Sequence, residues 1–240
     1  MNVESGGLPD TAKRQRLLGR ALIQVAVLPL VVGPFLFIPA GTLAWPMGWA
    51  VLGVFVGGSL ALPLAAAARC PGLAQERLKP AAGAKKWDRL LTSAANLLLI
   101  AVMLPVSGLD HRFGWSPMLP GAVAGMGLCL FALGYVAVIW AMTANPFFSA
   151  LVRIQTERGH TVAVAGPYRY LRHPGYLAMI AQFLTAPLAL GSLFAYVPAI
   201  LAAGVYVIRT ALEDRTLRSE LPGYGEYAAR VRCRLIPGIW

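Results

Sequence analysis

Long stretches of this chain carry almost no charge, and that restricts the available folds more than any other feature. Residues 17–38, 45–68, 90–109 and 118–143 are apolar runs with charges only at or near their ends. Crossing ~30 Å of hydrocarbon as a helix takes about 20 such residues. Within lipid every backbone N–H and C=O must be satisfied internally, so runs of this length read as membrane helices. Two shorter apolar runs, 174–190 and 193–208, are separated only by Gly191-Ser192 and predict a tight hairpin with both ends on one side. The expected fold is all-α: a polytopic transmembrane helical bundle of about six membrane helices, the last two a tight hairpin followed by a cytoplasmic helical tail. Residues 1–16 form the expected disordered basic N-terminus, 17–143 the first four spans, and 144–240 the remainder.

With 58% hydrophobic and 13% charged residues, the chain lies outside the soluble globular range. Its net charge of +11 needs a topological account before a functional one. With six crossings, the basic residues before span one, between spans two and three, between span four and the hairpin, and after the hairpin share one face. Arg112 stands on the other. Positive charge in short loops marks the cytoplasmic side, so both termini are expected there. The charge is then topology; the bilayer, not nucleic acid, is the partner, and the Ala/Gly/Arg-rich composition suits a bacterial inner membrane. Cys70, Cys129 and Cys233 are scattered, without disulfide or zinc spacing, and no metal is expected.

Gly53-x-x-x-Gly57 and Gly121-x-x-x-Gly125 put small residues on one helical face and predict close helix packing. The sequence leaves the oligomeric state open. The connector 69–89 contains no recognisable chemistry, and the first three spans read as free of buried acid or base.

Polar chemistry gathers instead in residues 145–176 and 209–227, which flank the hairpin and so meet on one side. In Arg172-His173-Pro174, proline suits the first helical position, which makes His173 the N-cap. The N–H groups of Gly175, Tyr176 and Leu177 would then face out of the helix start and attract an anion, reinforced by Arg169 and Arg172. Arg209 and Glu213 share a face of the last apolar helix, with Glu220 two turns on. Glu213 either pairs with an arginine or holds a ligand ammonium. A helix N-terminus with arginines on one side and a carboxylate on the other suits a zwitterionic amino-acid moiety. Tyr168, Tyr170, Tyr176, Tyr224 and Tyr227 read either as an interfacial belt or as packing for a flat base or a cation.

These residues, "GPYRYLRHPGY", the apolar hairpin, Arg209-x-x-x-Glu213-Asp214, Tyr224-x-x-Tyr227 and the closing "RLIPGIW", resemble the integral-membrane methyltransferases that include isoprenylcysteine carboxyl methyltransferases and phospholipid N-methyltransferases. The resemblance covers about the last hundred residues and makes 144–240 a methyltransferase-like catalytic region. It implies S-adenosylmethionine as cofactor. By the same resemblance, Gly166, Tyr168, His173, Pro174, Tyr176 and Glu213 bind it, Arg209 and Glu213 are catalytic, and Arg169, Arg172 and Tyr224 meet the substrate. The expected substrate is a lipophilic methyl acceptor, foremost a carboxylate of isoprenylcysteine type, with a phospholipid amine or a thiol as alternatives. A non-catalytic membrane component is the rival class. Ala178 stands where the family commonly has glycine, and Asp214 where it has a second glutamate.

Overall fold

The computed structural model describes residues 10–70, 72–73 and 83–240, and for 10–18, 20–22 and 24–26 the backbone alone. The expected disorder of residues 1–9 and the basic residues Arg77 and Lys79 lie outside the described residues. Helix α1 (Asp10–Ala40) already covers positions 10–16, which had been assigned to the disordered N-terminus.

Among the described residues every regular element is helical. After α1 come α2 (Pro46–Arg69), α3 (Lys86–Phe113), α4 (Gly121–Thr143), α5 (Pro174–Leu190), α6 (Tyr196–Glu220) and the short α7 (Tyr224–Arg230). Proline opens α2 and α5, where its missing N–H is an orphan in any case. Gly191 ends α5 at φ +70°, a left-handed conformation that an L side chain resists. Within α3, Leu97–Met103 winds as a π-helix, a form concentrated at functional sites.

Four helices, α2, α3, α4 and α6, are long and apolar enough to cross a membrane. Val27–Ala40 is the apolar part of the 31-residue α1 whose side chains are all described, and α5 is the shorter apolar helix Pro174–Leu190. The 17 residues of α5 rise about 26 Å, short of the hydrocarbon thickness. Among the described residues, then, four helices qualify as crossings by length and composition.

The helix ends sort into two poles. At one, Asp110 of α3 accepts hydrogen bonds from the Ser116 backbone N–H (2.7 Å) and from the Ser116 and Ser192 hydroxyls, tying the α3–α4 connection to the α5–α6 connection. Trp45 and His111 stack there with centroids 4.1 Å apart. At the other pole, Cys70 Sγ donates to Thr143 O (3.5 Å), Lys85 N to Val152 O (3.0 Å), and Lys85 Nζ pairs with Glu220 (2.7 Å). Glu220, two turns beyond Glu213, is therefore a surface ion-pair residue.

Close packing uses different glycines from those expected. A Cβ added at Gly53, Gly57, Gly121 or Gly125 would meet nothing within 4 Å. The tight approach is between α4 and α5, where a Cβ at Gly127 would lie 2.6 Å from Ala189 N, and where Gly134 makes room for the Gln182 side chain. Gly127→Ala should therefore destabilise the protein by about 1–3 kcal/mol, whereas Gly53→Ala should be neutral or slightly stabilising through helix propensity. Melting temperatures of the two variants in one detergent distinguish these outcomes.

Candidate functional site

A cavity of about 260 Å³ lies at the second pole, between α5, α6, α7 and the segment joining α4 to α5. Local polar bonds shape that segment. Asn145 Oδ1 accepts the Phe147 N–H at 2.9 Å, and buried Gln155 donates from Nε2 to Phe147 O at 2.8 Å. His160 stacks on Phe147 and accepts the Gln155 backbone N–H at Nδ1 (3.2 Å). Burial, then Arg158 and Arg153, hold the His160 imidazole below its ordinary value, against a weaker upward pull from Glu157. A lowered folded value means that the unfolded chain binds the proton more readily. Stability should thus be lost as pH falls from ~6.5 through the folded value. Melting temperature should fall over that window in the native protein and stay flatter in His160→Gln.

Gly166 opens a 3₁₀ turn, Gly166–Arg169, at φ +56° with a Cβ position only 3.0 Å from Ala144 Cβ, so glycine is required twice over. The turn buries Tyr168 and leaves Arg169 and Tyr170 exposed. His173 takes the N-cap position of α5, but its side chain does not cap. The expected anion site at this helix start is not formed as drawn. The N–H groups of Tyr176 and Leu177 both donate to His173 O (3.1 and 3.2 Å), and the Phe148 ring packs over Gly175.

The His173 ring turns instead toward α6 and α7. Its Nε2 is 3.5 Å from Asp214 Oδ1 and 3.4 Å from the Tyr224 hydroxyl. Asp214, only 1% exposed, gathers Arg172 (2.9 Å), Arg218 (3.1 Å) and Arg234 (3.0 Å), and accepts the Tyr224 hydroxyl at 2.9 Å. Arg172 also donates from Nη1 to Ala228 O and Val231 O, both at 3.2 Å. The backbone N–H groups of Arg172 and His173 bind Cys233 O and Arg234 O at 3.0 Å. Arg172, expected at the substrate, thus fastens the C-terminal segment against α5. Tyr227 completes that fastening by donating to Tyr168 O at 2.8 Å. Burial and the Asp214 carboxylate push the Tyr224 hydroxyl far up, and burial raises Tyr227 to about 12, so both remain donors.

Arg209 is 3% exposed and Asp88, at the start of α3, is fully buried. They form a two-pronged pair, Nε to Oδ1 at 2.5 Å and Nη2 to Oδ2 at 3.1 Å. Asp88 Oδ2 also accepts the Val152 N–H (2.7 Å), and Arg209 Nη2 donates to Ala150 O (2.9 Å). Asp88 and Asp110, at the two ends of α3, are buried acids beyond the third apolar run that the sequence reading did not single out. Both lie just outside the apolar run 90–109, where capping and turn contacts can satisfy a carboxylate. The Arg209 guanidinium sits 4.9 Å from the Tyr176 ring and 5.3 Å from the Tyr206 ring. The Tyr176 hydroxyl donates to Glu213 Oε2.

The cavity therefore brings together Tyr168, Arg172, His173, Tyr176, Arg209, Glu213 and Tyr224. Gly166, Arg169 and Pro174 are not on its wall, and Arg169 is exposed. Four of the five tyrosines read as a possible belt line the cavity, and Tyr170 does not. Glu213 is the one acidic side chain on its wall, and among the described residues no basic group lies within ion-pairing distance of it. A carboxylate facing aromatic rings, with only a tyrosine hydroxyl as partner, is built to receive a cation.

Residues 126–219 match the model of the isoprenylcysteine carboxyl methyltransferase (ICMT) family. The match begins within α4 and spans the R-H-P segment, α5 and α6 with Arg209 and Glu213; it stops short of Tyr224 and the closing segment. No curated protein matches the chain at a significant level.

Proposed function

We propose that this chain, whose residues 126–219 match the isoprenylcysteine carboxyl methyltransferase family model, is a membrane methyltransferase that moves the methyl group of S-adenosylmethionine to a lipophilic acceptor. The observation that carries the reading is Glu213, a cavity carboxylate without a cationic partner among the described residues. The residues fit the cofactor. Glu213 would hold its amino group, Tyr176 and Tyr168 would border it, and His173 would contribute an edge fixed by Asp214 and Tyr224. When bound, S-adenosylmethionine supplies a methyl on a positively charged sulfur that invites in-line attack. The protein's share is to align the acceptor and exclude water.

A second cavity, of about 110 Å³ and nearly all apolar, supports a lipophilic acceptor. It lies deeper in the bundle, walled by Leu36, Leu99, Met103, Phe131 and Phe183. The Phe183 and Tyr206 rings, 4.9 Å apart and edge-on, stand between it and the larger cavity. The π-helical stretch of α3 forms part of its wall.

Among acceptors, a carboxylate of isoprenylcysteine type leads. Both histidines on the cavity wall are engaged, His160 by the Gln155 N–H and His173 by Asp214 and Tyr224, which leaves no uncommitted histidine among the described residues to act as base toward an amine or thiol. A carboxylate needs none. The basic residues at this pole favour the cytoplasmic face by the positive-inside rule, so on this reading an introduced cysteine at position 160 should be labelled only from the cytoplasm.

The test is incubation of purified protein with methyl-labelled S-adenosylmethionine and a total lipid and metabolite extract. Label should enter an organic-soluble product, and mild alkali should release it as methanol if the product is an ester. Label that resists alkali would point to N- or S-methylation. Neither transfer nor binding of S-adenosylhomocysteine in several detergents and lipids would leave the non-catalytic reading.

A further inference from the structure

Three arginines line the larger cavity, and each ends on a carboxylate set behind the wall. Arg153 meets Glu157 at 2.7 Å, Arg172 meets Asp214 at 2.9 Å, and Arg209 meets Asp88 at 2.5 Å. The first pair is solvent-screened, since the Glu157 side chain is 50% exposed. The second shares its acid with Arg218 and Arg234, whose side chains reach water. The Arg209–Asp88 pair is buried, as Arg172–Asp214 is, but among the described residues its acid serves one arginine alone, and at such depth a charge acts more strongly across short distances than in water. One tyrosine ring separates it from Glu213: the guanidinium stands over Tyr176, and the Tyr176 hydroxyl is bonded to the Glu213 carboxylate.

We propose that Asp88 is a positioning residue that sets the sign of the cavity. By taking two nitrogens of Arg209 it cancels the buried cation that stands next to Glu213 across one ring, and fixes that cation beneath Tyr176. The same carboxylate holds the Val152 N–H while Arg209 holds Ala150 O, so the opposite wall is clamped by the same contact. Glu213 is then the unbalanced charge, and the cavity selects a cationic ligand. This rests on the reading of the cavity as the S-adenosylmethionine site. With Asp88 neutralised, Arg209 would oppose Glu213 and the selection would fade. The Arg209 pairing also means that Arg209 greets an acceptor as half of a neutral pair.

The test compares two ligands that differ only in the sulfonium methyl and its charge, S-adenosylmethionine and S-adenosylhomocysteine, by calorimetry on the full chain in detergent. Asp88→Asn should weaken the sulfonium ligand about tenfold more than the thioether. Asp88→Glu should keep the native ratio. Arg209→Gln, which leaves the Asp88 charge uncovered, should shift the ratio the opposite way, and the double variant Asp88→Asn/Arg209→Gln should return it to the native value. A purely structural role would weaken both ligands equally; an equal loss, or an unchanged ratio in Asp88→Asn and Arg209→Gln, overturns the proposal. Melting temperatures show which variants fold, and if Asp88→Asn does not, Arg209→Gln and the double variant decide. A native protein that binds neither ligand would sink the methyltransferase reading and this inference with it. Binding by the native protein with no change in ratio would sink this inference alone.

Discussion

Replacing Glu213 with Gln should lower the affinity for S-adenosylhomocysteine by roughly 10- to 100-fold and reduce methyl transfer in step. The substitution keeps the side chain's shape and its bond from Tyr176 but removes the charge. A hydrogen bond to a charged group contributes about 1.5–3 kcal/mol, and each 1.4 kcal/mol is a tenfold change in affinity. Nothing else among the described residues on the cavity wall supplies a carboxylate, so no neighbour can take over. Glu220→Gln, on a surface ion pair with Lys85, is the matched control and should bind normally. Calorimetry on both variants checks the expectation; near-native binding by Glu213→Gln would remove the observation on which the functional assignment stands.

The second large effect is on folding. Asp88→Ala leaves the Arg209 guanidinium buried without its counter-charge, a change that costs about 3–5 kcal/mol. For a chain of this size that corresponds to a fall of roughly 6–20 °C in melting temperature. Arg209→Met alone should be similarly damaging, since it strands the fully buried Asp88. The double variant Asp88→Leu/Arg209→Met removes both charges and should regain most of the loss, because apolar replacement of a buried pair is close to neutral. The comparison is a double-mutant cycle read by thermal unfolding in detergent. Additive losses would show that the pair contributes little as a pair.

Much of the fold is legible in residue order because its determinants are local. Apolar runs bounded by charge mark the helices, and Pro46, Pro174 and Gly191 mark where they begin or end. The π-helical turn of α3 leaves no trace in the sequence, because Leu97–Met103 is uniformly apolar and offers no periodicity to distinguish one winding from another. The glycine pairs misled for a related reason. Spacing shows which residues share a helix face, but not which face meets another helix. Gly53 and Gly57 point outward, while Gly58 and Gly134 receive Tyr135 and Gln182.

At the site, His173, Tyr176 and Glu213 are legible because two helices joined by a short turn must bring their outer ends together. Asp88 is not, for no spacing rule relates it to a residue 121 positions away. In the sequence Asp214 simply stands where the family has a second glutamate. The geometry gives the two neighbours opposite surroundings, Asp214 enclosed by three arginines and Glu213 facing the cavity. The free N–H groups anticipated at the start of α5 failed for a steric and geometric reason, since His173 O and the Phe148 ring already occupy that space.

The reach of the Asp88–Arg209 contact also orders events in time. As the chain is synthesised, α3 is complete long before α6 exists, and until then the Asp88 carboxylate lacks Arg209, the guanidinium that it pairs with in the fold. An unpaired carboxylate is too costly to bury, so the first turn of α3 must stay hydrated at the membrane boundary until Arg209 arrives. Docking of α6 then dehydrates the acid, clamps Ala150 and Val152 and closes the cavity wall in one step. The ligand pocket is consequently a late product of assembly, and a chain interrupted anywhere before Arg209 would insert its early helices yet possess no site at all.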